Sequence, residues 1–395
     1  MSFELSGEHE DFREVVRQFA AQHVAPHAAV WDAEHHFPAA LVPKMGALGL
    51  FGLLAPAEYG GADGDLTSLC IAIEELGRVD QSVGITLSAG VGLGIAPILA
   101  FGTQEQKRRW LPDLVAGRTL AAFGLTEPDG GSDAGSTTTR ARLDPATGEW
   151  VLDGAKAFIT NSGTPITSVV TVTARTGERP DGRPEISTIM VPAGTPGLVV
   201  EPAYRKLGWH ASDTHGLHLA GCRVPADHLL GTRGGGIRQF LATLDDGRIA
   251  ISALGLGLAR ACLEAACDYA RTRTAFGRPI GVNQGISFEL SDLAVRVEAA
   301  RLLTYRAAAL KDRLRAGEKV AAEAVTQAAA IAKLASSETA VDAARLATQV
   351  FGGNGFMEEY PVARFYRDAK VLEIGEGTSQ VQRLVIARGL GLPVD

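Results

Sequence analysis

Residues 122–133 read Ala122-Phe-Gly-Leu-Thr-Glu-Pro-Asp-Gly-Gly-Ser-Asp133. The first part is a short apolar strand, and the second is a turn dense in proline, glycine and aspartate. The chain changes character on either side of it. Upstream, apolar residues recur every three to four positions, as in Phe12, Val15, Val16, Phe19 and Ala20, with Ser6 placed to cap that helix. Thr103 followed by Gln106 makes a capping box ahead of Trp110, Leu111 and Leu114. Downstream the runs are short: Glu149–Leu152, Ala157–Thr160, Ser168–Thr173, Ile186–Val191, Gly197–Val200 and His215–Leu219. Turn clusters at Asp144–Gly148 and Gly177–Pro184 separate them. After Gly236 come Phe240–Ala270, Val282–Arg313 and Val320–Thr348, which are long and rich in alanine and leucine. The layout predicted is α+β. A helical domain spans 1–120, a β domain 121–232, and a helical bundle 233–395. Long alanine-rich helices of the last kind often form oligomer interfaces.

Composition narrows the function. The chain has 395 residues and a net charge of −7, mildly acidic, which argues against binding nucleic acid through phosphate neutralisation. Its length supports a large core without disulfides or metals. The four cysteines form no C-x-x-C pair, so no zinc site is expected and a reducing cytoplasm fits best. The opening residues show no basic segment followed by an apolar one, so no secretory leader is expected. Gln81–Gln104 carries no charge and is long enough to cross a bilayer, but its glycines, Pro97 and hydroxyl residues suit a buried helix and loop better. No membrane insertion is expected.

The common catalytic templates fail. Gly255-Leu-Gly257 lacks a third glycine and lies in a helical stretch, so it is no dinucleotide loop. Gly130-Gly-Ser132-Asp-Ala134 lacks the closing glycine of a nucleophile elbow. His9-Glu10 lacks the second histidine of a zinc helix, and His35-His36 suit an exposed turn.

Three loops stand out. Ala122–Asp133 is either a polar hairpin turn or a cradle holding a flat, heteroatom-rich ring under Phe123 and Leu125. Gln349-Val-Phe-Gly-Gly-Asn-Gly-Phe356 is either a helix C-cap or a close approach for phosphate or adenine. In Ile374-Gly-Glu-Gly-Thr-Ser-Gln380, Glu376 is either an acid favoured near a helix N-terminus or a base with open space on both sides. Thr378 or Ser379 can cap the helix that follows.

Taken together with Gly154-Ala-Lys-Ala-Phe-Ile-Thr-Asn161, Leu244-Asp-Asp-Gly-Arg248, Arg273-Thr-Ala-Phe-Gly-Arg-Pro-Ile280, Gln284, Tyr360-Pro-Val and Arg367-Asp-Ala-Lys370, these loops make an ordered set. The set resembles the acyl-CoA dehydrogenase family from end to end. The resemblance implies a helical domain, a barrel-like β domain and a C-terminal four-helix bundle, with FAD between the last two. It assigns one side of the isoalloxazine to Phe123, Leu125, Thr126, Gly131 and Ser132, and the other to Phe158 and Thr160. Thr378 and Gln380 reach the cofactor from the final segment. Arg273, Phe276 and Gln284, with Gln349, Gly352 and Gly353, match positions that a neighbouring subunit offers to pyrophosphate and adenine. Arginine suits that task because its fork pairs two oxygens at once.

Ser132, Asp245 and Arg248 match contacts to the CoA thioester, although Asp245 and Arg248 are also spaced for a helix ion pair. Gly375 and Gly377 flank the acyl group. The family departures are Phe158, where many relatives have Trp, and Gln380, where many have Glu. The implied reaction converts a saturated short or branched acyl-CoA to a trans-2-enoyl-CoA, with Glu376 as base. An electron-transferring flavoprotein is the implied acceptor, and a homotetramer, a dimer of dimers, the implied assembly. Within the fold the rivals are an acyl-CoA oxidase and a flavin monooxygenase relative; outside it, a non-catalytic flavin- or acyl-binding protein. Glu376 followed by Gly377 favours dehydrogenation.

Overall fold

The computed structural model describes residues 4–394. Helices come first: α1 (Gly7–His23), α2 (Ala28–Ala33), α3 (Val42–Ala47), α4 (Leu66–Val79), α5 (Gln81–Ala89), α6 (Ala96–Phe101) and α7 (Gln104–Val115). Ser6 caps α1 by accepting from the His9 N–H, and Thr103 with Gln106 forms the expected reciprocal box on α7. On α1, Val16 and Ala20 are buried, whereas Val15 points to solvent. Gly90–Ile95 widens into a π-helical turn that joins α5 to α6. This uncharged stretch and the later Gly236–Thr272 are both long and apolar enough to span a membrane, yet 72% and 78% of their most apolar windows are buried in the fold. Their apolar surface is already covered by protein.

The sheet follows, with β1 (Leu120–Gly124), β2 (Arg140–Asp144), β3 (Glu149–Thr160), β4 (Thr167–Glu178), β5 (Pro184–Pro192), β6 (Leu198–Val200), β7 (Thr214–Pro225) and β8 (Leu229–Leu230). Their order is β6-β7-β3-β2-β4-β5-β8, and β1 runs parallel to β4 off that path. Two short runs, Glu149–Leu152 and Ala157–Thr160, prove to be one strand. Gly154 (φ +149°) and Phe158 (φ +61°) each sit at a register shift against β7, which breaks the alternation along β3. Strand β2 escapes the apolar pattern because Ala141 is its only buried residue.

The C-terminal elements are α8 (Gly236–Thr272), a hairpin of β9 (Thr274–Ala275) and β10 (Arg278–Pro279), α9 (Gln284–Arg315), α10 (Ala322–Phe351), α11 (Pro361–Ala369) and α12 (Ser379–Gly389). The first and last helical segments share one core, while the sheet keeps a smaller one around Trp150, Leu152 and Leu219. Gly257 makes the sharing possible. A methyl group there would stand 2.4 Å from the Glu74 carbonyl of α4, so only glycine lets the two helices approach this closely.

Candidate active site

The loop that carries Glu376 joins a short turn at Lys370–Glu373 to α12, whose N-cap is Thr378 (its Oγ1 accepts from the Val381 N–H, 3.3 Å). Glu376 has φ +53° and Gly377 φ +86°. Left-handed backbone at a glutamate is disfavoured, so neighbours must hold it. Gln382 donates from Nε2 to the carbonyls of Glu376 (3.1 Å) and Gly377 (2.9 Å). Lys333, fully buried on α10, donates from Nζ to the same Gly377 carbonyl at 2.8 Å. The half-buried carboxylate lies against Gly247 of α8, where a methyl group would stand 2.6 Å from its Oε2. Burial pushes the Glu376 carboxyl above the usual carboxylate range, against the charges of Arg248 and Lys333. Among the described residues no group accepts from the Glu376 backbone N–H.

Other carboxylates nearby are engaged. Asp245 bonds Arg248 at 3.1 Å and accepts from the Thr326 hydroxyl at 2.6 Å. The helix ion pair is therefore formed. Asp246 is held by Lys311 (3.0 Å) and Arg315 (2.7 Å), and Glu373 is paired with Lys370.

Along α8 toward its N-terminus, the ring of Phe240 stacks on Phe123, with centroids 6.5 Å apart. Phe240 and Gly247 are two helical turns apart, ~10 Å along the axis, and this spacing sets the β1 loop relative to the carboxylate. That loop is tied to β3. The Ala157 N–H donates to the Thr126 carbonyl at 2.9 Å. Beneath it, Lys156 Nζ bonds Glu127 Oε1 (2.7 Å), Thr173 Oγ1 (3.1 Å) and the Leu125 carbonyl (3.2 Å). Glu127 also accepts from the N–H groups of Thr138 (2.7 Å) and Thr139 (3.1 Å). Burial opposes both charges, yet the bonds from Lys156, Thr138 and Thr139 hold the Glu127 carboxyl down at about 2. Burial lowers Lys156 to about 8 despite Glu127. The pair is fully satisfied and pins the loop.

Thus the loop that carries Phe123, Leu125 and Thr126 is bonded to β3 at Lys156 and Ala157, next to Phe158 and shortly before Thr160. Phe158 is 65% exposed, its ring 5.2 Å from that of Tyr204. Gly131 and Ser132 lie exposed at the loop tip, and Gln380 is exposed in the first turn of α12. Arg273 and Phe276 lie at the β9–β10 hairpin and Gln284 starts α9. Gln349, Gly352 and Gly353 end α10, where Gly352 (φ +60°) is the C-cap. All six are exposed, and among the described residues none is hydrogen-bonded or ion-paired to Glu376.

This donor set fits FAD: exposed aromatic rings, the hydroxyls of Thr126 and Thr160, and open backbone at Gly131, Gly352 and Gly353, where an added Cβ meets nothing within 4 Å. The acyl-CoA dehydrogenase N-terminal, middle and C-terminal domains match residues 6–118, 122–222 and 234–391. The short-chain specific acyl-CoA dehydrogenase of Bos taurus mitochondria is 45% identical over 98% of this chain and 90% of its own length. Butyryl-CoA dehydrogenase from Megasphaera elsdenii superposes with a TM-score of 0.91 at 39% identity, covering 99% of this chain and 100% of that one. A chain in a structure described as the electron transferring flavoprotein of Acidaminococcus fermentans gives 0.92 at 39% identity, with 99% of both chains covered. The chain belongs to the acyl-CoA dehydrogenase family. It is an FAD-dependent oxidoreductase acting on the CH–CH bond of an acyl-CoA.

Sequence reading did not single out Lys156, Phe240, Lys333 or Gln382. Lys333 left a signal, being a lone cation in the apolar run Ala328-Ala-Ala-Ile-Ala-Lys333-Leu-Ala335.

Proposed function

We propose that the substrate is a short or branched saturated acyl-CoA, that Glu376 takes its pro-R α-proton, and that the electrons leave to an electron-transferring flavoprotein. The observation that carries this reading is the Glu376 carboxylate, held by left-handed backbone over a residue without a side chain. An α-C–H is a poor acid, so the base must meet it in a fixed orientation while negative charge builds on the thioester oxygen. Glu376 can meet both needs: its carboxylate accepts the proton, and its own backbone N–H, which has no acceptor among the described residues, is free to donate to that oxygen. A well-placed donor of this kind contributes roughly 3–4 kcal/mol. FAD, when bound, accepts the β-hydride. Phe123, Leu125, Thr126, Gly131, Ser132, Phe158, Thr160, Thr378 and Gln380 would hold it within one chain. Thr378 caps α12 through its hydroxyl oxygen and has its O–H left to offer. Ser132, Asp245 and Arg248 line the thioester end.

Many straight-chain relatives place Tyr where this chain has Gly375. An added Cβ there meets only the Val371 carbonyl, at 3.6 Å. Gly84, Gly90 and Gly94 are closed by Leu254, Phe51 and Ala121, while Gly92 of the same segment has open space around it. This supports an acyl channel widened beside the reacting carbons.

Assembly as a homotetramer, with Arg273, Phe276, Gln284, Gln349, Gly352 and Gly353 given to a partner's FAD, is supported by the exposed Phe276, Phe288, Val295 and Phe356. We place the protein in the cytoplasm, with domain limits 1–120, 121–232 and 233–395. The test is turnover on straight and branched acyl-CoAs, with ferrocenium and with oxygen as acceptors. Turnover by ferrocenium on four- and five-carbon substrates is expected. Efficient turnover with oxygen would overturn the acceptor, and no FAD uptake would overturn the whole reading.

A further inference from the structure

Lys333 is a buried cation bonded directly to the base loop, and buried Arg248 of α8 is the other cation that acts on Glu376. The Lys333 side chain is wholly inaccessible, and removing an ammonium from water costs several kcal/mol unless something repays it. The bond to the Gly377 carbonyl does not require a charge, because neutral Gln382 makes the same bond at 2.9 Å. The charge needs another reason, and the groups around it supply one. Glu376 faces it from the base loop, Glu373 from the preceding turn, Arg248 from α8 and Glu338 from its own helix. From α12 come uncharged Gln382 and Arg383, which is tied to Glu338 at 2.7 Å. Glu373 is already paired with Lys370. Glu376 is the carboxylate in this group left without a direct ion pair.

Resting on the reading of Glu376 as the base, we infer that Lys333 is a positioning residue. Its Nζ locks the Gly377 carbonyl so that Glu376 keeps its left-handed backbone, and its buried charge, together with that of Arg248, favours the ionised carboxylate against the effect of burial. A neighbouring cation favours the ionised acid, so its loss raises the pH at which Glu376 takes up a proton.

Lys333→Met in the holoenzyme tests this. The acid limb of kcat/KM should move up by about one pH unit, the lower range for an adjacent opposite charge. The loss of activity is then about tenfold greater well below the limb than on the plateau. The plateau also falls as the loop loosens. A variant with a lowered plateau but an unmoved limb would overturn the inference, because a purely structural lysine behaves that way. If Lys333→Met does not retain FAD, the reciprocal measurement decides: 13Cε-lysine NMR of wild type and Glu376→Gln. Removing the carboxylate should lower the Lys333 midpoint from about 8, and an unchanged midpoint would overturn the coupling. Flavin bleaching by substrate in the wild type scores the functional reading separately.

Discussion

The loop around Glu376 and the hairpin around Phe276 share a backbone signature and differ in everything that surrounds it. Glu376 and Gly377 have φ +53° and +86°, and Phe276 and Gly277 have +52° and +77°. In the hairpin, two positive φ values between antiparallel strands are the signature of a tight turn that matches strand twist. Asn-Gly is the usual choice there, so a phenylalanine is present for its ring, which is fully exposed. In the base loop no strand pair rewards the conformation. Lys333 and Gln382, from two different helices, hold it. One region is locally determined and faces outward; the other is determined at a distance and faces inward. On the proposed reading, the first completes a partner's site and the second completes its own.

The comparison breaks most sharply at the base. Glu376→Gln should keep FAD and melting temperature while losing about 10³-fold in kcat, within the range for general bases. Stopped-flow flavin bleaching is the check. Near-wild-type bleaching in this variant, with loss in Glu373→Gln, would move the base. Next comes Gly247→Ala, whose methyl group collides with the carboxylate at 2.6 Å. Displacing the base by about 1 Å should cost about 10²-fold in kcat, with FAD content unchanged. Full activity would mean that the inward region has slack.

The outward region should respond differently. Arg273→Ala removes a charge-assisted bond worth about 1.5–3 kcal/mol, so FAD affinity should fall by about 10- to 150-fold, most visibly on dilution, while kcat with saturating FAD is unchanged. An unchanged FAD affinity would end the assignment of this hairpin to the cofactor. The smallest effect is expected for Gly375→Tyr. It should lower kcat/KM for isobutyryl-CoA relative to butyryl-CoA by about tenfold, the lower end for one methyl pocket. Equal effects on both would retire the widened channel.

Much of this was legible from short-range rules. The caps at Ser6, Thr103 and Thr378 are visible because their chemistry spans three or four residues. The long helices are visible because alanine, leucine and spaced charges repeat without interruption. Strand β3 reads as two pieces because Gly154 and Phe158 break its alternation, and β2 offers too few apolar residues to stand out. The site shows the same division. Glu376 between two glycines can be seen in three letters; Lys333 appears as a lone cation in an apolar helix, with no hint of what it faces.

By itself the sequence determined the order helices, strands, helices and marked the loop after β1 and Glu376 between its two glycines as places to look, because each depends on neighbours in the chain; the roles proposed for them come from the family resemblance. Only the tertiary structure decided that the first and last helical segments share one core, that Gly247 gives way to the carboxylate, and that Lys333 bonds the carbonyl of Gly377, 44 residues away in sequence. The physical reason is that close packing and buried charge are relations between surfaces. A glycine that admits another helix, or a buried lysine that bonds a distant carbonyl, has no meaning until the second surface arrives.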